Sequence, residues 1–332
     1  MAFAAPVADP WPIRFTDVLE AERRIRPYLP PTPLRTYGAL DAAVGAGIRV
    51  WVKHENFQPT NAFKVRNGLA LVTALSDAER RRGVVAATRG NHGLGVAWAA
   101  ALLGCPVTVC VPEGNNPEKN EAITALGARL VVGGRDYDES VQEAQRLMRH
   151  EGLVLAHSTN DPRVIAGAAT ITLEILREQP SLDALVVAVG GGSQAVGALV
   201  AARELAPALE VYAVQAEGAA AIHDSWHAGR VVTRDAAVTF ADGLATRGVY
   251  EMTFPALQAG LAGFVAVPDA EIAEALRILL RTTHTLVEGA GAAGLAGLLR
   301  LRERLTGRRV GIILSGGNID LVTLGRVLAG TI

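Results

Sequence analysis

Cysteine is almost missing from this chain: 332 residues contain only Cys105 and Cys110. Both stand in one apolar stretch that reads as the end of a helix and the strand after it. A disulfide framework is thereby excluded, and a reducing compartment, the cytoplasm, is expected. An excess of one charge is missing too. With 32 Lys and Arg against 33 Asp and Glu the net charge is −1, and no basic stripe offers itself to a nucleic acid or an anionic membrane surface. No apolar run is long enough to cross a bilayer, the most apolar being "GVAWAAALLG". The opening "MAFAAPVADPW" has no basic segment ahead of an apolar core, so no targeting leader is expected. No internal repeat or low-complexity linker divides the chain. Half of its residues are hydrophobic, enough for one large or two modest domains around a buried core, and the expected partner is a small molecule.

What is present is a rhythm. The β-branched runs "RVWVK", "VVAAT", "VTVCVP", "ARLVV", "ALVVAVG", "EVYAVQA" and "RVGIILSGG" alternate with Ala/Leu-rich amphipathic stretches, which predicts parallel strands joined by crossover helices, an α/β fold. "ALVVAVG" and "VGIILSGG" do not alternate polar with apolar, as expected of central strands covered on both faces. Residues 71–155 hold several strand–helix alternations of their own. They are expected to form a small mobile domain inserted into a larger one made of residues 1–70 and 156–332, with a ligand cleft between the two.

Three glycine-rich loops follow predicted strands, where open α/β sheets place their ligands. In "ATRGNHGLGVAWAA" a strand runs into Thr88, Arg89, Gly90, Asn91, His92 and Gly93 and then a helix, whose first amides suit an anion; a plain tight turn would look the same. In "AVGGGSQAVGALVAA" the residues Gly190, Gly191, Gly192 and Ser193 open another helix and can turn several N–H groups toward one phosphate. This is not a Walker A loop, which ends in Gly-Lys-Ser/Thr. Nor is it a dinucleotide site, since Gln215 ends the next strand where an acidic residue is needed. In "GIILSGGNID" the hydroxyl of Ser315 ends a strand, ready for the edge of a heteroaromatic ring or for its own turn. Lys64 lies in "FQPTNAFKVRN". Most helical lysines are solvated, and that is the default here, although its apolar flanks Ala62, Phe63 and Val65 also allow a partly desolvated amine of lowered pKa.

"PTNAFKVRN", "TRGNHG", "VGGGS" and "LSGGN", in this order from Val52 to Asp320, resemble the threonine dehydratase and serine racemase group of fold-type II pyridoxal 5′-phosphate enzymes. The resemblance implies a two-domain, tryptophan synthase β-like α/β fold, with Lys64 as the Schiff-base lysine that carries the cofactor. Phe63 would pack by the cofactor ring, Asn91 would bond its 3′-oxygen, Gly190 to Ser193 would hold the phosphate, and Ser315 would face the pyridine nitrogen. Thr88, Arg89, Gly90, Asn91 and His92 would line the substrate site, most of them as its carboxylate loop. The implied reaction removes water from a β-hydroxy amino acid, threonine, serine, or a bulkier or acidic one, and yields a 2-oxo acid and ammonia. Lys64 and Ser315 are the implied catalytic pair, and a homodimer is the implied assembly. A racemase, a β-replacement synthase and a silent phosphate-ligand binder are the alternatives.

The chain departs from the pattern at Asn61 and Ala62, where Gly-Ser is usual, at Asn67 in place of glycine, and at Ser193 in place of a fourth glycine. Gln215 stands where many relatives carry a metal-binding glutamate, although Glu217 is near, and no metal is expected. Arg89 is the largest departure. Racemising relatives have a proton-donating serine there, whereas a guanidinium is a poor proton donor and could pair with an acidic substituent. Glu288 is expected to begin a helix near the cofactor, and Asp242–Gly243 to form a turn at the site's mouth. His223 and His227 are one helical turn apart, a zinc-compatible spacing, but they lack a third ligand and read as a surface helix.

Overall fold

Ten strands order the chain as seen in the computed structural model, which describes residues 9–135 and 137–332. The expectation of no leader falls mainly on residues 1–8, outside the described residues. The strands are β1 (Leu34–Thr36), β2 (Arg49–Lys53), β3 (Val84–Ala87), β4 (Val107–Val111), β5 (Arg129–Val132), β6 (Val154–Leu155), β7 (Ala184–Ala188), β8 (Glu210–Ala216), β9 (Gly263–Val267) and β10 (Arg309–Ile313). They form a six-stranded sheet in the order β1-β2-β10-β7-β8-β9 and a four-stranded sheet in the order β5-β4-β3-β6. Only the β1–β2 pair is antiparallel. The Val- and Ala-rich runs of β3, β4 and β7 are buried along almost their whole length, as parallel strands sandwiched by helices must be. No helix among the described residues is long and apolar enough to span a membrane.

Parallel strands send all their carboxyl ends to one edge. The loops after β2, β7 and β10 therefore leave the large sheet side by side, and the loops after β3, β4 and β6 leave the small sheet together. Helix packing brings the two edges face to face. The helix Lys64–Val72 crosses the helix Asn91–Leu102 with backbones touching. A Cβ on Gly68 would lie 2.3 Å from the Gly95 carbonyl oxygen, and one on Gly95 would lie 2.4 Å from that of Lys64. These two glycines let Lys64 and Asn91, each at the start of its helix, stand next to one another.

The start of the Lys64 helix is also held from below. Arg66 is fully buried and donates to both carboxylates of Glu55 and Glu174 at 2.8–2.9 Å, and Lys53 reaches Glu174 at 2.6 Å. Two cations and two anions leave the cluster neutral. Burial alone would raise the Glu55 carboxyl, but Arg66 and Lys53 outweigh it and hold the group below the usual carboxylate range.

Candidate active site

The Lys64 loop and the Ser315 loop are stitched together by backbone. Phe63 N–H donates to Ser315 O at 2.9 Å, Gly317 N–H to Asn61 O at 2.8 Å, and Ala62 bridges Gly316. Asn61 adopts a left-handed φ of 52°, a conformation glycine takes freely and asparagine tolerates better than most residues. The Lys64 ammonium stands 4.7 Å from the Phe63 ring centroid. Burial lowers its pKa to about 8, against an upward pull from Glu288. The side chain itself is part-buried and faces the cleft, an environment that suits the amine of lowered pKa the apolar flanks allowed.

In the loop after β3, the Thr88 hydroxyl accepts from the N–H groups of Gly90 and Gly93 at 2.9 and 3.2 Å and shapes the turn into the Asn91 helix. Asn91 is pinned by its amide: it donates to Glu288 at 2.6 Å and accepts from Asn318 at 2.8 Å. Glu288, the N-cap of the helix Gly289–Arg300, has its pKa raised to about 7 by burial, opposed by Lys119 and Asn91. His92 is buried; its Nε2–H donates to Ala156 O at 2.7 Å, and desolvation drops its pKa to about 3, so the ring is neutral. Its work is bracing the loop against the end of β6. Arg89 is exposed at the cleft.

The loop after β7 is glycine by necessity. A Cβ on Gly190 would sit 2.1 Å from Gly243 O, and one on Gly191 would sit 2.0 Å from the Thr159 hydroxyl. Gly192 has φ +96° and caps the helix Ser193–Leu205. In that helix's first turn the side-chain nitrogen of Gln194 is buried without a partner.

All of the sequence-predicted site residues line one cleft: Phe63, Lys64, Thr88 to His92, Gly190 to Ser193 and Ser315. It encloses about 1020 Å³, its open mouth included. Lining residues that sequence reasoning passed over are Lys119, Tyr137, Ser158, Thr159, Thr246 and Tyr250. Lys119 lies against Gly90 and pairs with Asp242 at 2.7 Å across the mouth. The Asn116–Pro117 cap marks a helix start just after β4, at a strand's carboxyl end, and was the signal that could have found it. Gln215 accepts from His223 N–H and reaches Thr246. His223 bonds Asp224 and His227 donates to Phe264 O, and among the described residues no three His, Cys, Asp or Glu side chains gather as metal ligands.

A desolvated amine, a strand-end hydroxyl and an all-glycine turn at a helix N-terminus, sharing one cleft, fit a phosphorylated ring aldehyde. Residues 25–316 match the family described as pyridoxal-phosphate dependent enzyme. The chain belongs to that family. It is 36% identical to an L-threonine ammonia-lyase of Thermotoga maritima over 95% of this chain and 78% of that protein. It is 35% identical to an L-threo-3-hydroxyaspartate ammonia-lyase of Saccharomyces cerevisiae over 95% and 96%. The solved structure of maize serine racemase superposes with a TM-score of 0.90 at 30% identity, over 97% of this chain and 98% of that one. The resemblance and the fold class drawn from four short motifs are thus borne out. This pyridoxal-phosphate dependent enzyme uses pyridoxal 5′-phosphate as its cofactor.

Proposed function

We propose that the enzyme is an ammonia-lyase that removes water from a 3-hydroxy amino acid, and that it favours one bearing a second carboxylate. Bound pyridoxal 5′-phosphate supplies an electron sink conjugated to the carbon that carries the substrate's amino group. Lys64 carries the cofactor and, as a neutral amine, accepts the proton from that carbon; burial makes the neutral form accessible near physiological pH. Gly190 to Ser193 hold the phosphate, Phe63 flanks the ring, and Asn91 bonds its oxygen. Thr88, Gly90, Asn91 and His92 form the loop that takes the α-carboxylate at a helix N-terminus. Ser315 faces the ring nitrogen. A hydroxyl does not keep that nitrogen protonated as a carboxylate would, so expulsion of the β-hydroxyl is favoured over a long-lived carbanion. The released enamine then takes up one water and breaks down to a 2-oxo acid and ammonia.

The substrate reading is carried by one observation, Arg89 exposed at the cleft beside that loop. Lys119 lies on Gly90 with its ammonium already paired to Asp242, which leaves Arg89 to meet the extra carboxylate. A guanidinium pairs with a carboxylate in two parallel hydrogen bonds worth about 1.5–3 kcal/mol, roughly ten- to a hundredfold in selectivity. Racemisation needs a proton donor on the face opposite Lys64, and arginine is not one. The test is kcat/KM across a panel of 3-hydroxy amino acids, read as 2-oxo acid release without added nucleophile. Arg89→Ala is expected to lose at least tenfold on 3-hydroxyaspartate and little on threonine or serine; an unchanged ratio refutes the substrate reading.

We further read residues 71–155 as the small unit that moves against the rest, and the enzyme as a cytoplasmic homodimer. Free, buried cysteines support the compartment. Leu321, Val322 and Leu328, all exposed on one helix, support the assembly.

A further inference from the structure

The glycine loop is gripped through its carbonyls by a segment that the reaction itself does not use. Thr253, fully buried at the cap of the helix Phe254–Gly260, donates its hydroxyl to the carbonyl of Gly191 at 2.7 Å. Thr246, which lines the cleft a short way upstream, donates to the carbonyl of Gly190 at 3.4 Å and is itself reached by the Gln215 amide at 3.4 Å. The fit is close on every side. A Cβ on Gly192 would lie 3.1 Å from the Thr253 hydroxyl and from Leu257, and the Thr159 hydroxyl presses on Gly191 from another direction.

In a trans peptide the C=O of one residue and the N–H of the next point in opposite directions; no cis peptide occurs among the described residues. A carbonyl held by a buried donor therefore aims the following amide the other way. Glycine has no side chain to restrict its peptide planes, so three in a row would otherwise sample many orientations, and ordering them costs free energy at each binding event. From this geometry we infer that Thr253, seconded by Thr246, is a positioning residue for the cofactor's phosphate. By fixing the carbonyls of Gly191 and Gly190, the two hydroxyls preorganise the N–H groups of Gly192 and Gly191 toward the cleft. The inference rests on the reading that the phosphate sits in this loop.

The test separates the phosphate from the rest of the cofactor. The full-length chain, resolved of cofactor, is titrated with pyridoxal 5′-phosphate and, separately, with pyridoxal, which has the same ring and aldehyde but no phosphate. Thr253→Val keeps the shape and removes the donor. It is expected to weaken pyridoxal 5′-phosphate binding about tenfold while pyridoxal binding stays within about twofold. Thr253→Ser keeps the donor and is expected to bind both as the parent does. Equal weakening of both ligands by Thr253→Val overturns the inference, because a merely structural role moves both. So does loss by Thr253→Ser of the same phosphate-dependent affinity, which would assign the effect to packing of the methyl; this arm stands even where the valine variant does not fold. A parent chain that binds neither ligand would instead refute the cofactor reading itself.

Discussion

Lys64 answers to two opposed influences, burial and one charged neighbour. Burial strips its ammonium of water and brings its pKa from 10.5 to about 8, while Glu288 pulls the other way. The neutral amine is the form that attacks an aldehyde, so capture of pyridoxal 5′-phosphate by the cofactor-free protein is expected to accelerate about tenfold per pH unit below 8 and level off above it. Stopped-flow absorbance between pH 6.5 and 10 checks this, and a rate still climbing at pH 10 would mean an ordinary, solvated lysine. Glu288→Gln removes a negative charge that favours the ammonium, so the midpoint should move down. Single residues were legible where they sat inside a motif. Lys64, Asn91 and Ser315 stood in recognisable strings, and the folded chain gathers them in one cleft. Thr159, Thr246 and Thr253 are lone polar residues in loops, and only tertiary approach across long stretches of chain sets them beside Gly191 and Gly190. No local spacing encodes that.

Among elements, the crossing of the Lys64 and Asn91 helices is the contact on which the cleft depends. Adding one methyl at Gly68 places it 2.3 Å from the Gly95 carbonyl, where backbone must give way. Gly68→Ala is expected to destabilise the fold by about 3 kcal/mol, the upper end for overpacking a tight contact. Gly325→Ala, in the middle of a helix and with nothing of its own chain within 4 Å, should instead stabilise the fold of each chain by about 0.5–1 kcal/mol through helix propensity. Urea denaturation of the two variants compares them directly, and equal effects would mean that the helices do not touch there. The sequence runs read as strands all exist, because long Val/Ile-rich stretches between helical patterns have no better way to bury both faces. β1, β6 and β9 were passed over for physical reasons. β1 is three residues preceded directly by prolines, β6 is two residues long, and "GFVAV" in β9 sets weak strand formers, Gly and Ala, in an apolar pattern that also suits the end of a helix. Their pairing comes from neighbouring strands rather than from their own propensity.

For the whole molecule, the exposed Leu321 and Val322, each about three-quarters accessible, and Leu328 beside them leave an apolar face on the helix Leu321–Ala329 that a monomer would leave in water. Sedimentation velocity is expected to return twice the 34.8 kDa chain mass, and a species of one chain mass at micromolar concentration would refute the homodimer. The two-sheet plan was readable from the grouping of strands, but the facing of the two edges was not, since it arises from glycine contacts between helices far apart in sequence. Everything proposed for the cleft turns on which side chain carries the cofactor. Borohydride reduction of the holoenzyme followed by peptide mapping is the direct measurement. It should place the pyridoxyl group on Lys64, the amine that burial brings to about 8 at the centre of the cleft. An adduct on any other lysine, or none in cofactor-saturated protein, would contradict it.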